Sequence, residues 1–314
     1  MSKYILKRLA NMVIVILVVM VLSFLVTHIM PGDPVRMMLG DLAGEKQIAD
    51  MKSQLGLDKN IFVQFFSWIG NVFKGDFGQS IFLHQPVKKV IFSRVEPTFF
   101  LALIGEFIGI FVGIPLGIIA AIKHKTWVDE SVMGIALLGV SIPSFWLSLI
   151  FILIFGVDLR WFPVCGYKQI SEVGMGFIKY LILPGIILGI MQIGLISRMT
   201  RSSMLDVLNE DYIRTARCKG IPQKIVIFRH ALKNAMIPII TVIGFSMATL
   251  LGGTWVIETV FNIPGTGSLA ISSIMKRDYP VIQGSIIFTA LIYVIVNLIT
   301  DISYIFVNPR IREK

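Results

Sequence analysis

Apolar residues form six long runs along this chain, and the segments between the runs carry most of its charge. Each run has about 20 residues, the length of a helix that crosses a ~30 Å hydrocarbon core at ~1.5 Å per residue. The runs cover residues 9–30, 97–122, 131–156, 180–197, 235–256 and 281–307. The pattern predicts an all-α integral membrane protein with six transmembrane helices.

Composition supports this class. Of the 314 residues, 55% are hydrophobic and 15% are charged, whereas a soluble domain carries roughly 25% charged residues. The net charge of +10 could indicate nucleic-acid binding, but the basic residues lie mainly in short loops and termini beside the spans. The first run exceeds 20 residues and no small-residue cleavage site follows it, which favours an uncleaved anchor over a signal peptide.

The basic residues also predict the orientation of the spans, since Lys and Arg favour the cytoplasmic side. With the N-terminus inside, sixteen basic residues fall in the cytoplasm and only five in the two short outer loops, 157–179 and 257–280. Six spans return the C-terminus to the same side. We therefore expect both termini in the cytoplasm.

Three regions follow from this topology. Residues 1–96 form an anchor helix and a long extracytoplasmic loop, residues 97–307 form the transmembrane core, and residues 308–314 form a cytoplasmic tail. Within the loop, residues 45–55 predict a short helix closed by Gly56. Residues 61–73 include Phe62, Phe65, Phe66, Trp68, Ile69 and Phe73, an aromatic-rich composition suited to a helix lying at the membrane interface.

Two features inside the second predicted span are candidates for a role in packing or transport. Glycines four residues apart share one helical face and allow a neighbouring helix to approach closely; they are Gly105, Gly109, Gly113 and Gly117. Glu106 is the only acidic residue well inside a span, where a charge costs roughly 2.5–3.5 kcal/mol. It must be protonated, face water or pair with another subunit, so it either lines a translocation path or makes a structural hydrogen bond.

Catalytic and metal-binding motifs are missing from the sequence. It has no phosphate-binding G-x-x-x-x-G-K-[ST] loop, no H-E-x-x-H and no G-x-S-x-G. Two cysteines, Cys165 and Cys218, cannot form a disulfide framework or a zinc site. The sequence therefore predicts a protein that is not itself an enzyme and that binds no metal or cofactor of its own.

Residues 198–234 form a basic segment between two spans, with eight Lys or Arg residues against three acidic ones. This size and composition are typical of a cytoplasmic docking surface. Its centre, DYIRTARCKG followed by IP, resembles the coupling loop of ABC-importer permeases. Arg214, Thr215 and Ala216 stand at that family's E-A-A triplet, so the Glu is absent, and Gly220 and Pro222 fill its Gly and Pro places.

Other segments resemble the peptide and nickel branch of the same family along the whole chain. They read PGDP at 31–34, GDFGQS at 75–80, SIPSFW at 141–146, WFP at 161–163, ETVFNIPG at 258–265, RDYP at 277–280 and NPRIR at 308–312. Their order and spacing identify the chain as similar to the first of two permease subunits of a peptide importer.

The resemblance implies a fold, a mechanism and partners. The fold would be that of a type I ABC importer, or MetI-like, permease. The partners would be a second homologous permease, two cytoplasmic ATPase subunits that bind ATP and Mg²⁺, an extracytoplasmic substrate-binding protein and membrane lipid, with no nucleic acid. Transport would proceed by alternating access. The implied ATPase-coupling residues are Asp211, Tyr212, Arg214, Thr215, Ala216, Arg217, Lys219, Gly220 and Pro222.

Other functions are compatible with parts of this pattern. A secondary transporter would need ion-coupling residues at mid-membrane, and neither it nor a membrane scaffold or channel would need the basic segment. Within the importer class, nickel, glutathione or another small solute competes with di- and oligopeptides as cargo. A metal path would need converging His, Cys or carboxylate ligands, and the predicted spans offer few, so we expect peptides.

Overall fold

A computed structural model describes residues 2–29, 34–39, 43–54 and 56–307 of the chain. The predicted cytoplasmic tail, the NPRIR segment and the first three residues of the PGDP segment lie outside this part. The described chain is almost entirely helical, and its extended pairing is limited to one isolated bridge between Gln79 and Pro86. The prediction of an all-α membrane protein is confirmed.

The helices are, in chain order, α1 (Ser2–Ile29), α2 (Pro34–Leu39), α3 (Glu45–Gln54), α4 (Ile61–Phe73), α5 (Val87–Ile122), α6 (Trp127–Ser141), α7 (Ser144–Phe151), α8 (Ile170–Val173), α9 (Ile178–Leu208), α10 (Asp211–Cys218), α11 (Gln223–Ile225), α12 (Leu232–Gly252), α13 (Trp255–Val260), α14 (Thr266–Lys276) and α15 (Tyr279–Val307). Wider π-helical turns continue α7 over Ile152–Asp158 and join α11 to α12 over Val226–Ala231.

Five of the described segments are long and apolar enough to cross a membrane, or six when α6 and the helix after it count as one bent span. The predicted third span, 131–156, corresponds to this bent pair. Its two halves meet at 95°, because Ile142 is extended and Pro143 has no N–H to continue the helical hydrogen bonds.

Some predicted boundaries also differ from the structure. The second span was expected to begin at Pro97, but α5 begins at Val87, since Val87, Val90 and Ile91 are buried despite the charged residues between them. The fourth span was expected to end at Ser197, but α9 continues to Leu208. The fifth ends at Gly252 rather than residue 256, because Gly253 takes a φ of +128°.

The chain divides into two compact units. Among the described residues, the first contains 97–264 and 293–307, and the second contains those of 2–96 and 265–292. In the first unit, one apolar cluster gathers Leu101, Leu181, Ile187, Ile257 and Phe261. A further cluster of that unit gathers Met204, Ile213, Val226, Ala231 and Ile239.

In the second unit, α4 packs on α1 through aromatic rings. The ring centroid of Phe24 lies 5.2 Å from that of Phe65 and 5.7 Å from that of Trp68. An adjacent side of α4 exposes Phe62 and Phe66. The helices predicted at residues 45–55 and 61–73 are confirmed as α3 and α4, with Gly56 at a φ of +68°. The interfacial position of α4 stays a prediction.

The second unit also joins two sequence motifs through a buried carboxylate. Asp278 of RDYP accepts hydrogen bonds from the hydroxyl of Ser80 in GDFGQS at 2.5 Å and from the N–H of Ile81 at 3.2 Å. The loop after α4 is thereby held against the start of α15, where Gly78 takes a φ of +80°.

Candidate functional site

The predicted coupling loop contains the short helix α10. Glu210 at its N-cap is extended, Asp211 lies in its first turn and Arg217 in its last, an order of charges that favours the helix dipole. The helix ends where Gly220 takes a φ of +72°, a left-handed conformation that residues with a Cβ rarely adopt. Pro222 then caps α11.

One side of α10 is buried and the other is exposed. Ile213 and Ala216 pack into the cluster of Met204 and Val226, and Ile213 has no exposed surface. On the opposite side, the exposed side chains are those of Tyr212, Arg214, Thr215, Arg217 and Lys219. The helix therefore rests on the first unit and presents a surface with three cations.

Two side-chain contacts fix this surface. The Asn234 amide, near the start of α12, donates a hydrogen bond of 2.9 Å to the Tyr212 hydroxyl, so α10 is tethered to a membrane helix. Arg214 lies 3.6 Å from Asp211 in an exposed pair, which is worth little in water. The basic charge of α10 is thus available for a partner.

The four glycines of α5 lie against α9 in the first unit. A Cβ added at Gly105 would stand 2.9 Å from the Cβ of Leu188, and one at Gly109 would stand 2.5 Å from the Cβ of Gln192. Gly113 and Gly117 meet Ile196 and Thr200 in the same way. In the same interface, Gly185 and Gly189 of α9 pack against Ile104 and Ile108 of α5.

Glu106 is buried beside α12, with 4% of its surface exposed. Its Oε1 lies 2.7 Å from the Ser246 hydroxyl, and its Oε2 has no hydrogen-bond partner among the described residues. The geometry favours the structural hydrogen bond between α5 and α12 over the lining role. The part of Glu106 in a translocation path stays a prediction.

Sequence reasoning missed a charged cluster at the end of α9. Asp129 is buried in the first turn of α6, and its two carboxylate oxygens lie 2.5 Å and 2.7 Å from Nε and Nη2 of Arg201. It also accepts from the Lys125 N–H, and Nδ1 of His124 lies 3.1 Å away. The sequence did show Asp129 as an acidic residue in a first helical turn. Its partner Arg201 is 72 residues away, so the sequence pattern did not indicate the pair.

Among the described residues, no group of three or more His, Cys, Asp or Glu side chains is placed to hold a metal ion. Cys165 and Cys218 are both free and exposed.

Comparison with known proteins decides the family. The model of the binding-protein-dependent transport system inner membrane component matches residues 113–313, and the model of its N-terminal region matches residues 1–102. The chain belongs to this family.

Similar proteins match this permease over their whole length. It is 43% identical to a protein of Brucella abortus named a peptide transport system permease, over 99% of both chains. It is 42% identical to the glutathione transport system permease GsiC of Salmonella choleraesuis, over 100% of both chains. A peptide ABC transporter permease of Sinorhizobium fredii is 40% identical over 99% of this chain and 100% of its own.

A solved structure shares the fold of the permease. The MetNI methionine ABC transporter, in an inward-facing conformation, matches 70% of this chain and 96% of its own chain with a TM-score of 0.55 and 14% identity. The predicted MetI-like fold is confirmed. The permease is a multi-pass subunit of a bacterial inner-membrane importer and is not an enzyme, since ATP hydrolysis belongs to a separate subunit. Its family implies an ATPase and a substrate-binding protein as partners.

Proposed function

We propose that this permease imports short peptides, as one half of a heterodimer with a second homologous permease. Two cytoplasmic ATPase subunits would carry ATP and Mg²⁺, and an extracytoplasmic binding protein would deliver the peptide. The observation that carries the choice of cargo is the naming of full-length relatives for peptide transport, and for transport of glutathione, itself a tripeptide.

The coupling role of α10 rests on its geometry. A helix that exposes Arg214, Arg217 and Lys219 while burying Ile213 can fill an acidic groove on an ATPase and still transmit force to the membrane helices. Force on Tyr212 reaches α12 directly through Asn234. When ATP closes the ATPase pair, α12 would move with α10, and the spans would reorient from inward-facing to outward-facing.

The test is reconstitution of the whole complex with its binding protein in proteoliposomes. We expect a mixture of di- to pentapeptides to stimulate ATP hydrolysis and to be taken up, with glutathione and Ni²⁺ assayed as separate cargoes. Uptake of free Ni²⁺ with no stimulation by any peptide would refute the peptide cargo. Stimulation by glutathione alone would narrow the cargo to that tripeptide.

A further inference from the structure

The last helix has two exposed faces of opposite character within the first unit. Ile295 and Ile299 are exposed on one face of α15. Tyr293, Asn297 and Asp301 are four residues apart and so share another face, on which Asn297 is exposed and the other two are half-buried. Tyr304 extends this polar face by one more turn. Only the isoleucine face is suited to lipid.

The neighbouring helix α12 adds polar groups beside this face. Thr241 and Thr249 are exposed and eight residues apart, so they lie on one side of α12. The Tyr304 hydroxyl lies 2.9 Å from the Thr241 hydroxyl, and that of Tyr293 lies 3.3 Å from the Thr249 hydroxyl. Gly244 lies directly against Thr300 between the two pairs, which lets the helices come close enough for both.

We name these groups the polar stripe. It consists of Thr241 and Thr249 on α12 and Tyr293, Asn297, Asp301 and Tyr304 on α15. All six residues lie inside the two segments, 223–260 and 279–304, that are apolar enough to cross a membrane. The polar stripe is therefore at membrane depth.

The hydrogen bonds within the polar stripe leave acceptor capacity at its surface. Each threonine hydroxyl donates its single proton to its own helix, Thr241 to the Ile237 carbonyl and Thr249 to the Phe245 carbonyl. The threonines therefore accept from the tyrosines, and the tyrosine oxygens and the exposed Asn297 amide keep capacity for further hydrogen bonds. Hydrocarbon cannot satisfy such groups, and their burial in it is costly.

Water is the occupant that the surroundings favour. On the side of α12 that carries Thr241, the next exposed polar residue toward α10 is Asn234, which is bonded to Tyr212. α12 therefore carries exposed polar side chains beside the coupling helix and at Thr241 and Thr249, with apolar residues, Phe245 among them, between these positions. A second protein chain packed on the polar stripe would have to supply a partner for each uncharged hydroxyl and amide.

We propose that the polar stripe lines the water-filled path of the permease and offers hydroxyl and amide groups to the backbone of the cargo. The proposal rests on the importer function and deepens it by assigning the lining residues. Five of the six members of the polar stripe are uncharged, and their donors and acceptors suit a cargo whose side chains vary, because the peptide backbone is the part that all peptides share.

The experiment is cysteine accessibility in the assembled complex, on a background with Cys165→Ser and Cys218→Ser. The probe is a cationic methanethiosulfonate, which reacts with the thiolate in water. We expect Asn297→Cys to react at least about 100-fold faster than Ile299→Cys, since a thiol facing hydrocarbon is neither ionised nor reached by the cation. Asn297 and Ile299 are two residues apart on one helix and differ in face, so each controls for the other.

Thr241→Cys and Thr249→Cys repeat the measurement on α12 and keep the test decisive if Asn297→Cys fails to assemble. The reaction rates are measured with and without ATP and vanadate. The proposal would be overturned if all three positions react as slowly as Ile299→Cys under both conditions. Protection of Thr241→Cys by a peptide that stimulates ATP hydrolysis would support backbone contact, and no protection by such a peptide would overturn that contact. If no peptide stimulates hydrolysis, the cargo is wrong, and the labelling still decides whether the stripe faces water.

Discussion

At the scale of single residues, the absence of a side chain determines how α5 and α9 pack. The glycines of α5 each face a side chain of α9, and the tightest of these positions leave no space for a methyl group. Small residues allow such approach in lipid, where van der Waals packing replaces the hydrophobic effect between helices.

We expect Gly109→Ala to destabilise the permease by about 1–3 kcal/mol, the usual result of overpacking a tight contact. A methyl group there would stand 2.5 Å from the Cβ of Gln192. Gly134→Ala is the matched control, because nothing lies within 4 Å of a Cβ at Gly134. Thermal unfolding of the detergent-solubilised complex measures both, and equal stability of the two variants would contradict the contact.

The buried pair of Asp129 and Arg201 gives a second prediction at this scale. Removing one partner of a buried pair costs about 3–5 kcal/mol, and we expect Asp129→Ala to fall at the low end because the Arg201 side chain is 24% exposed. The control is Arg214→Ala, whose pair with Asp211 is fully solvated on the helix surface. The unfolding midpoints of the two variants are compared. An unchanged midpoint for Asp129→Ala would show that the pair with Arg201 does not stabilise the fold.

At the scale of elements, α10 is a small helix with a separate role for each face. Ile213 holds it on the membrane helices, whereas its cations are exposed. Gly220 ends it by backbone conformation and not by lack of space, since nothing lies within 4 Å of a Cβ at that position. A β-branched residue at Gly220 would therefore change the direction of the chain after α10 without a steric clash.

Charge reversal of Arg217 should uncouple the ATPase while the permease still inserts. We expect Arg217→Glu to lower uptake and substrate-stimulated ATP hydrolysis by at least about tenfold, equivalent to ~1.4 kcal/mol of lost docking energy. Lys89→Glu makes the same change at an exposed position of α5 and should leave both rates unchanged. Full transport by an Arg217→Glu, Gly220→Trp double variant would argue strongly against α10 as the coupling helix.

The sequence predicted those features of the helices that depend on one helix alone. The apolar runs gave the spans, the glycine spacing gave a packing face, and Gly220 with Pro222 gave the end of α10. They did not give the 95° bend, although Pro143, which interrupts the helical hydrogen bonds there, was visible in the sequence. Nor did they give the pairing of Asp129 with Arg201 or the polar stripe, because both arise only when helices distant in sequence meet.

At the scale of the whole molecule, the topology predicts opposite fates for the two cysteines. Both thiols are exposed, so each can react with a reagent that reaches its side of the membrane. In intact spheroplasts, a membrane-impermeant maleimide should label Cys165 and spare Cys218. Permeabilised spheroplasts, in which both should react, provide the control. Labelling of Cys218 without permeabilisation would reverse the orientation inferred from the basic residues.

The glycine contact between α5 and α9 has a mechanical consequence. It runs from Gly105 to Gly117, about 18 Å of helix at ~1.5 Å per residue, with side chains of α9 packed directly against the glycine backbone of α5. Such a pair bends little, so α5 and α9 should move as one rigid body. A displacement of α9 at Arg201 would then rotate the α5–α9 pair as a whole and would reach its other end almost undiminished.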